Sequence, residues 1–260
     1  MSKCLRHILI SGAGSGIGRA LCMAYAGPGV RLSLWGRNAA ALEETAVACR
    51  ELGAECGLVV QDMADLAGSR AVLRAMNGDA PVDLAVLNAG VTSGSLPDGR
   101  AEPVEDACRT LAINALGTIN MAGTLLEGMR ERGGHLALVS SLAFVYPFYD
   151  CAAYCASKAA IAVYAKALRG GLYKSGVRVS TIYPGYVDSP MSDRIKGKQP
   201  MLWSAEKAAA HIRAKLDAGK ESIAFPLPLA LGSLAMHLLP SPLARLIAKK
   251  LRFSVAPPRE

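Results

Sequence analysis

Residues 7–18 read HILISGAGSGIG and join a short apolar strand to a glycine-rich turn and the start of a helix. Gly12, Gly16 and Gly18 allow the backbone to turn tightly and to approach a ligand closely. A helix beginning at Gly16 would offer its free N–H groups and its positive dipole end to a diphosphate. The GxxxGxG spacing therefore predicts a phosphate-binding loop, and a glycine-rich turn without a ligand is the alternative.

Outward from this stretch, short apolar runs alternate with segments of helical periodicity. The predicted strands are His7–Ser11, Val30–Trp35, Gly57–Gln61, Val82–Asn88, His135–Ser140, Val177–Tyr183 and Ser222–Phe225. The predicted helices are Gly16–Gly27, Asn38–Leu52, Ala64–Asn77, two within Val104–Arg132, Ala152–Lys174 and Ala205–Ala218. Strands that are apolar throughout and separated by helices imply a parallel sheet covered on both faces.

The sequence thus predicts an α/β fold, a Rossmann-type doubly wound parallel sheet of about seven strands with helices on both faces. We expect residues 1–225 to form this single domain and residues 226–260 to form a C-terminal extension. Ligands of such sheets bind at the carboxyl ends of the strands, near the point where the strand order reverses.

Composition narrows the function classes. The 260 residues are 52% hydrophobic and 19% charged, which excludes a disordered chain. The net charge of +8 comes from scattered Lys and Arg rather than from a basic stripe, so we expect no nucleic-acid partner. Seven cysteines without a CxxC pair indicate reduced thiols in a cytoplasmic protein, with no metal site. The strand pattern begins by His7, so we expect no signal peptide.

The end of the second predicted strand bears on the choice of cofactor. NAD sites usually place an acidic residue there to bind the ribose 2′-hydroxyl, whereas this chain has Arg37. A guanidinium suits a 2′-phosphate, so NADP(H) is favoured and NAD(H) is less favoured; a solvated arginine at a helix start is the alternative. Asp62 follows the third strand. Its carboxylate would accept a hydrogen bond from the adenine amino group or, alternatively, cap the helix that starts near Ala64.

The segment Tyr154-Cys-Ala-Ser-Lys158 lies in a predicted helix, where residues four apart share a face. A free tyrosine has a pKa of about 10, and a neighbouring ammonium favours its phenolate form. This spacing alone is common in proteins. The spacing of Tyr154 and Lys158 becomes informative only together with the other motifs of the chain.

The chain resembles the short-chain dehydrogenase/reductase family over roughly residues 5–225. The resemblance rests on the Gly12–Gly18 loop, Asn88-Ala89-Gly90, Asn114, Ser140-Ser141, Tyr154–Lys158 and Pro184–Val187. Ser141 precedes Tyr154 by thirteen residues and Asn114 precedes Ser141 by twenty-seven, intervals similar to those of the family.

The resemblance implies a role for each matching residue. Tyr154 would be the general acid in reduction and the base in oxidation. Lys158 would lower the pKa of Tyr154 and bind the nicotinamide ribose. Ser141 would hold the substrate carbonyl oxygen, and Asn114 would hold a water that relays protons. The structural alternative makes Asn114 part of a helix kink, Ser141 a strand-end cap and Lys158 a solvated lysine.

The resemblance also implies a set of cofactor-binding residues. They are Gly12, Ser15, Gly16, Ile17, Gly18, Arg37, Asn38, Asp62, Met63, Asn88, Ala89, Gly90, Tyr154, Lys158, Pro184, Gly185, Val187 and Ser189. Ser189 stands where the family commonly has Thr. Ser15 stands where some NADP-preferring members carry a basic residue, which leaves Arg37 as the main phosphate contact.

Three segments are expected to form the substrate site, namely Val91–Glu102, Leu142–Cys151 and Met191–Met201. The middle segment is apolar and aromatic, which predicts an apolar substrate of lipid-like or acyl character. The resemblance implies that this small-molecule substrate is a ketone or aldehyde, reduced with NADPH in a reversible reaction. The basic residues beside Ile195 would suit a substrate that also has an anionic end. Dehydration or epimerisation on the same scaffold is one alternative, and a catalytically idle NADP-sensing regulator is another.

The tail is unusual for the family. Its apolar run between Pro226 and Pro240 is too short for the roughly 20 residues that span a bilayer. We expect the tail to pack over the substrate cleft or a neighbouring subunit of a homodimer or homotetramer. A peripheral membrane contact through the basic amphipathic segment Leu243–Phe253, with Arg245, Lys249, Lys250 and Arg252, is the alternative.

Overall fold

A computed structural model describes residues 6–146, 148–248 and 252–256, and within them an α/β domain is built on one seven-stranded sheet. The strands are β1 (His7–Ser11), β2 (Arg31–Gly36), β3 (Glu55–Val60), β4 (Leu84–Leu87), β5 (Gly134–Val139), β6 (Val177–Pro184), β7 (Ile195–Lys196), β8 (Ser222–Phe225) and β9 (Ser254–Val255). The helices are α1 (Gly16–Tyr25), α2 (Ala39–Glu51), α3 (Leu66–Asp79), α4 (Val104–Leu111), α5 (Thr118–Arg132), α6 (Ala152–Leu172), α7 (Ala205–Asp217), α8 (Leu227–Leu238) and α9 (Ser241–Ala248), with a π-helical turn over Ala112–Gly117 between α4 and α5.

The strand order of the large sheet is β3-β2-β1-β4-β5-β6-β8, and every neighbouring pair is parallel. The order reverses between β1 and β4, which opens a crevice at their carboxyl ends. The predicted doubly wound parallel sheet is confirmed.

The core has one apolar layer on each face of the sheet. Leu21, Leu42 and Ile212, from α1, α2 and α7, pack on one face. Leu125 and Ile161, from α5 and α6, pack on the other. Burying one such side chain contributes about 1.5–3 kcal/mol, so the two layers hold the strand ends in fixed positions.

The predicted element boundaries agree with the structure to within two residues, and a specific contact accounts for the later start of α3. We expected this helix to begin near Ala64, but it begins at Leu66 because Asp65 caps it, with Oδ1 accepting from the Gly68 N–H at 2.9 Å. The helix-capping alternative for Asp62 is therefore wrong.

The tail packs differently from the sheet. In the described chain, no residue of α8 is buried, and the side chains of Leu227, Leu231 and Leu238 are mostly exposed. Residues 252–256 return to the sheet end, where β9 pairs antiparallel with β7. Lys249 and Lys250 of the predicted basic segment lie outside the described residues. Among the helices described, none is long and apolar enough to cross a bilayer.

Candidate active site

The glycine-rich loop is tied to the end of the neighbouring strand β4. The Ser11 hydroxyl oxygen accepts the backbone N–H groups of Asn88 and Ala89, both at 3.0 Å. The Asn88 amide group donates to the Ser11 carbonyl at 3.1 Å. These bonds fix the Gly12 turn beside the Asn88–Gly90 segment at the strand-order reversal.

The start of α1 fits a phosphate group. A Cβ on Gly18 would overlap the Gly12 carbonyl oxygen, so only glycine allows this close approach. The described contacts give Ser15, the residue before α1, no side-chain capping bond, and the first turn carries no acidic residue. By contrast, α2 is capped by the Asn38 side chain. The α1 N-terminus therefore keeps backbone N–H groups and a positive dipole end for an anionic ligand.

Arg37 lies at the end of β2, as predicted, and faces Asp62 at the end of β3. The distance from Arg37 Nη1 to Asp62 Oδ2 is 3.6 Å, and both side chains are about half exposed. Asp62 Oδ1 also accepts the Ala64 N–H at 2.9 Å. Met63 is 3% exposed, and its side chain packs in the core.

Asn114 lies inside the π-helical turn, a rare feature that often marks functional sites. Its side-chain amide donates to the Val91 carbonyl at 2.9 Å and to the Ser157 hydroxyl at 3.0 Å. Its Oδ1 accepts the Val91 N–H at 2.8 Å. The side chain is therefore held in one orientation between the β4 loop and α6.

Lys158 is buried in the wall of the cleft. Its Nζ donates to the Val139 carbonyl at 3.0 Å and lies 5.7 Å from the centroid of the Tyr154 ring. Burial lowers the pKa of Lys158 to about 8, because desolvation disfavours the charged ammonium.

The phenol of Tyr154 differs from the expectation. Lys158 was expected to lower its pKa, but burial has the largest effect and raises the pKa of Tyr154 well above its usual value. A hydrogen bond with the Ser141 hydroxyl works in the opposite direction. The phenol thus keeps its proton at neutral pH in this structure.

Most predicted site residues line a single cleft. Those that line it are Gly12, Ser15, Gly16, Ile17, Asn88, Ala89, Gly90, Ser141, Tyr154, Lys158, Pro184, Gly185, Val187 and Ser189. Arg37, Asn38 and Asp62 are not among the residues that line this cleft, and they follow the carboxyl ends of β2 and β3. Within the described residues, no group of three or more His, Cys, Asp or Glu side chains is placed to hold a metal ion.

The substrate end of the cleft is apolar. Of the four aromatic residues in the predicted segment Leu142–Cys151, Phe148 lines the cleft, whereas Phe144 packs against Tyr183 with ring centroids 5.2 Å apart and Tyr149 is exposed. Sequence reasoning did not assign four further lining residues to the site, namely Tyr186, Leu229, Ser233 and Phe253. The expectation that the tail covers the cleft was the available signal for the last three.

Comparisons with known proteins decide the family. The family described as short chain dehydrogenase matches residues 6–200. The chain belongs to this family. An uncharacterized oxidoreductase from Myxococcus xanthus is 32% identical over 95% of this chain and 98% of its own length. A 3-dehydrosphinganine reductase from Arabidopsis thaliana is 30% identical over 79% of this chain and 62% of its own length.

Solved structures share the fold. A short-chain dehydrogenase from Sphingobium yanoikuyae in complex with NADPH aligns with a TM-score of 0.78 and 22% identity, covering 95% of this chain and 97% of that one. The predicted family and enzyme class are confirmed: this short-chain dehydrogenase is an oxidoreductase that acts on alcohol and carbonyl groups. Members of the family use nicotinamide cofactors.

Proposed function

We propose that this short-chain dehydrogenase reduces an apolar ketone or aldehyde with NADPH, and that Asn114, Ser141, Tyr154 and Lys158 are its catalytic set. The observation that carries the proposal is the meeting of the Tyr154 phenol, the Ser141 hydroxyl and the Lys158 ammonium in the cleft that begins at the glycine-rich loop. The reaction is reversible, so alcohol oxidation is its reverse.

A nicotinamide cofactor, held by the Gly12–Gly18 loop and the Asn88–Gly90 segment, would supply the hydride for the carbonyl carbon. The Ser141 hydroxyl and the Tyr154 phenol hold the carbonyl oxygen, and Tyr154 donates its Oη proton as negative charge develops there. The raised pKa of Tyr154 keeps that proton available at neutral pH. The Lys158 ammonium then stabilises the phenolate that remains.

Asn114 acts as a positioning residue for proton return. Its Oδ1 can accept a second hydrogen bond beside the one from Val91, because an amide oxygen has two lone pairs. A water held there would connect Lys158 with solvent. The close approach of Gly90 to both side chains supports this arrangement, since a Cβ there would lie 3.1 Å from Asn114 Oδ1 and 3.4 Å from Lys158 Nζ.

The proposed cofactor preference rests on Arg37. Its guanidinium is half exposed at the end of β2 and would form charge-assisted bonds with a 2′-phosphate. Replacing it in Arg37→Glu should reduce kcat/KM for NADPH about 10- to 100-fold relative to NADH, since a bond to a charged group contributes ~1.5–3 kcal/mol. Arg130→Glu, an exposed site on α5, is the control. An unchanged NADPH to NADH ratio in Arg37→Glu would contradict the preference.

The proposed substrate class follows from the cleft wall. Phe148, Met191, Ile195, Leu229 and Phe253 line the end of the cleft beyond Tyr154. Apolar walls of this kind favour ligands that bury hydrocarbon. The name of the Arabidopsis relative, a 3-dehydrosphinganine reductase, supports a substrate with a long apolar chain.

The two-part organisation, 1–225 for the catalytic domain and 226–260 for the extension, belongs to the same proposal. A homodimer or homotetramer and a cytoplasmic location stay predictions. Light scattering on the purified enzyme measures the first, and cell fractionation measures the second.

The decisive experiment follows NADPH absorbance with a panel of aliphatic ketones, aldehydes and sugar ketones. We expect turnover with apolar ketones and a higher kcat/KM for them than for a sugar ketone. Tight NADPH binding without turnover of any carbonyl compound would favour the idle regulator instead.

A further inference from the structure

The last described residues, 252–256, form a short segment that we call the C-terminal strap. It lies across the substrate end of the cleft. Phe253 lines the cleft, and its ring packs edge-on against Phe148 with centroids 5.7 Å apart. The strap therefore places an aromatic side chain where an apolar substrate would extend away from Tyr154.

A buried carboxylate holds the strap in place. Asp150 accepts Arg252 Nη2 at 2.9 Å and Nε at 3.2 Å, and its other oxygen accepts the Phe253 N–H at 3.3 Å. The Asp150 side chain is only 4% exposed, so these charge-assisted bonds replace its lost hydration. Asp150 lies two residues before the start of α6 and four residues ahead of Tyr154.

The strap also pairs with the segment after β6. β9 forms an antiparallel ladder with β7, in which Ile195 lies opposite Val255. The Ala256 N–H donates to the Arg194 carbonyl at 2.8 Å, and Arg194 Nε donates to the Ala256 carbonyl at 2.8 Å. The Arg194 guanidinium is thus used to hold the strap.

A third attachment joins the strap to the loop after β4. The Val255 N–H donates to the Ser95 carbonyl at 2.9 Å. Gly197 leaves room for the strap, because a Cβ there would lie 2.7 Å from the Phe253 Cβ. The strap therefore bonds to all three segments that were predicted to form the substrate site, through Ser95, Asp150 and Arg194.

We propose that Phe253 is a specificity-determining residue of this enzyme, and that the strap selects ketones with an extended apolar chain. Residues 252–256 fasten the three substrate segments to one another and complete the pocket wall with the Phe253 ring. The proposal rests on the proposed carbonyl reductase function. Phe253 touches the substrate chain and not the reacting carbon, so it should affect KM for long substrates more than kcat.

The test compares 2-butanone with 2-dodecanone as substrates in the presence of NADPH. Phe253→Ala should lower kcat/KM for 2-dodecanone about tenfold, mainly through KM, because it removes an apolar contact with the chain. For 2-butanone, whose short chain has little apolar surface to bury against the ring, the change should stay below about threefold. Arg252→Ala should act in the same way because it releases the strap, and Arg252→Lys should be intermediate because Lys lacks the planar fork.

Leu246→Ala is the matched control, since this apolar residue is in the tail but its side chain is 60% exposed on α9. It should leave both ketones unchanged. A Phe253→Ala enzyme whose 2-dodecanone to 2-butanone ratio equals that of the wild type would overturn the proposal.

A second readout separates the strap from the proposed function. If the wild type reduces neither ketone, the proposed function has failed, and calorimetry then measures 2-dodecanone binding to the NADP⁺ complex. About tenfold weaker binding to Phe253→Ala supports the strap as a ligand-selecting wall. Equal affinities in wild type and variant would reject it.

Discussion

The strand ends and the C-terminal tail line the same cleft but are held in different ways. β1 is paired on both sides, and Leu9 in it is completely buried. In the tail, Leu231 is 57% exposed, and the strap depends on a few polar bonds such as that between Arg252 and Asp150. We infer that the two regions have separate roles. The sheet fixes the positions of the reacting groups, and the tail can change the shape of the pocket without moving those groups.

The test with the largest expected effect removes the proton donor Tyr154, which belongs to the region held by the sheet. Tyr154→Phe should lower kcat about 100- to 10,000-fold, the usual contribution of a positioned general acid, with little change in NADPH affinity. Steady-state kinetics and fluorescence titration with NADPH measure the two quantities. Tyr173→Phe, at an exposed tyrosine after α6, is the control. Retained turnover in Tyr154→Phe would show that another group donates the proton.

The next test compares two leucines of equal size. Leu9→Ala should destabilise the protein by about 2–5 kcal/mol, because it leaves a cavity in the core. Leu231→Ala should change the stability by less than about 0.5 kcal/mol, because the side chain loses little burial. Urea unfolding followed by circular dichroism gives both values. A large loss in Leu231→Ala would mean that another surface covers α8 in solution.

The titration of Lys158 should make the stability of the protein depend on pH, with an effect of intermediate size. Its pKa is about 8 in the folded protein, below the value of about 10.4 expected when unfolded. Between these values the unfolded state binds more protons, so stability should rise with pH; below pH 8 both states are protonated and the effect is flat. Across this pH range the unfolding free energy should rise by about 3 kcal/mol in total.

Lys158→Met removes this titration and so isolates it from the other groups. The unfolding free energy of the wild type, relative to Lys158→Met, should increase from pH 8 to pH 10. Urea unfolding of both proteins in matched buffers measures the difference. Parallel pH curves would show that Lys158 keeps its ordinary pKa in the folded protein.

The contrast between the strand ends and the tail also separates what the sequence could predict from what it could not. The strand, turn and helix around Gly12 follow from local patterns, and the spacing of Asn114, Ser141, Tyr154 and Lys158 identifies the candidate site through the family resemblance. The π-helical turn around Asn114 has no local signal, because its residues also suit an ordinary helix.

One contact and one pKa shift escaped prediction for a different reason. Asp150 and Arg252 are 102 residues apart in the chain, so no periodic pattern links them. The high pKa of Tyr154 depends on burial, which a sequence motif does not contain. Contacts made by the final fold, rather than by local preference, were the ones that the sequence could not supply.

The smallest expected effect tests whether the tail unfolds with the sheet. Gly232 in α8 and Gly123 in α5 are helical glycines with open space around an added Cβ. Alanine at either site should stabilise its helix by about 0.5–1 kcal/mol. α5 packs on the sheet, so Gly123→Ala should raise the urea midpoint of the whole protein.

In Gly232→Ala we expect that midpoint to stay unchanged, because α8 has no buried residue in the described structure and can open by itself. Hydrogen exchange should instead slow only at the α8 amides, by about two- to fivefold, which is what 0.5–1 kcal/mol of local stability gives. A midpoint that rises as much as in Gly123→Ala would mean that the tail and the sheet form one cooperative unit. The strap would then be a fixed part of the pocket, and substrates would have to enter without its release.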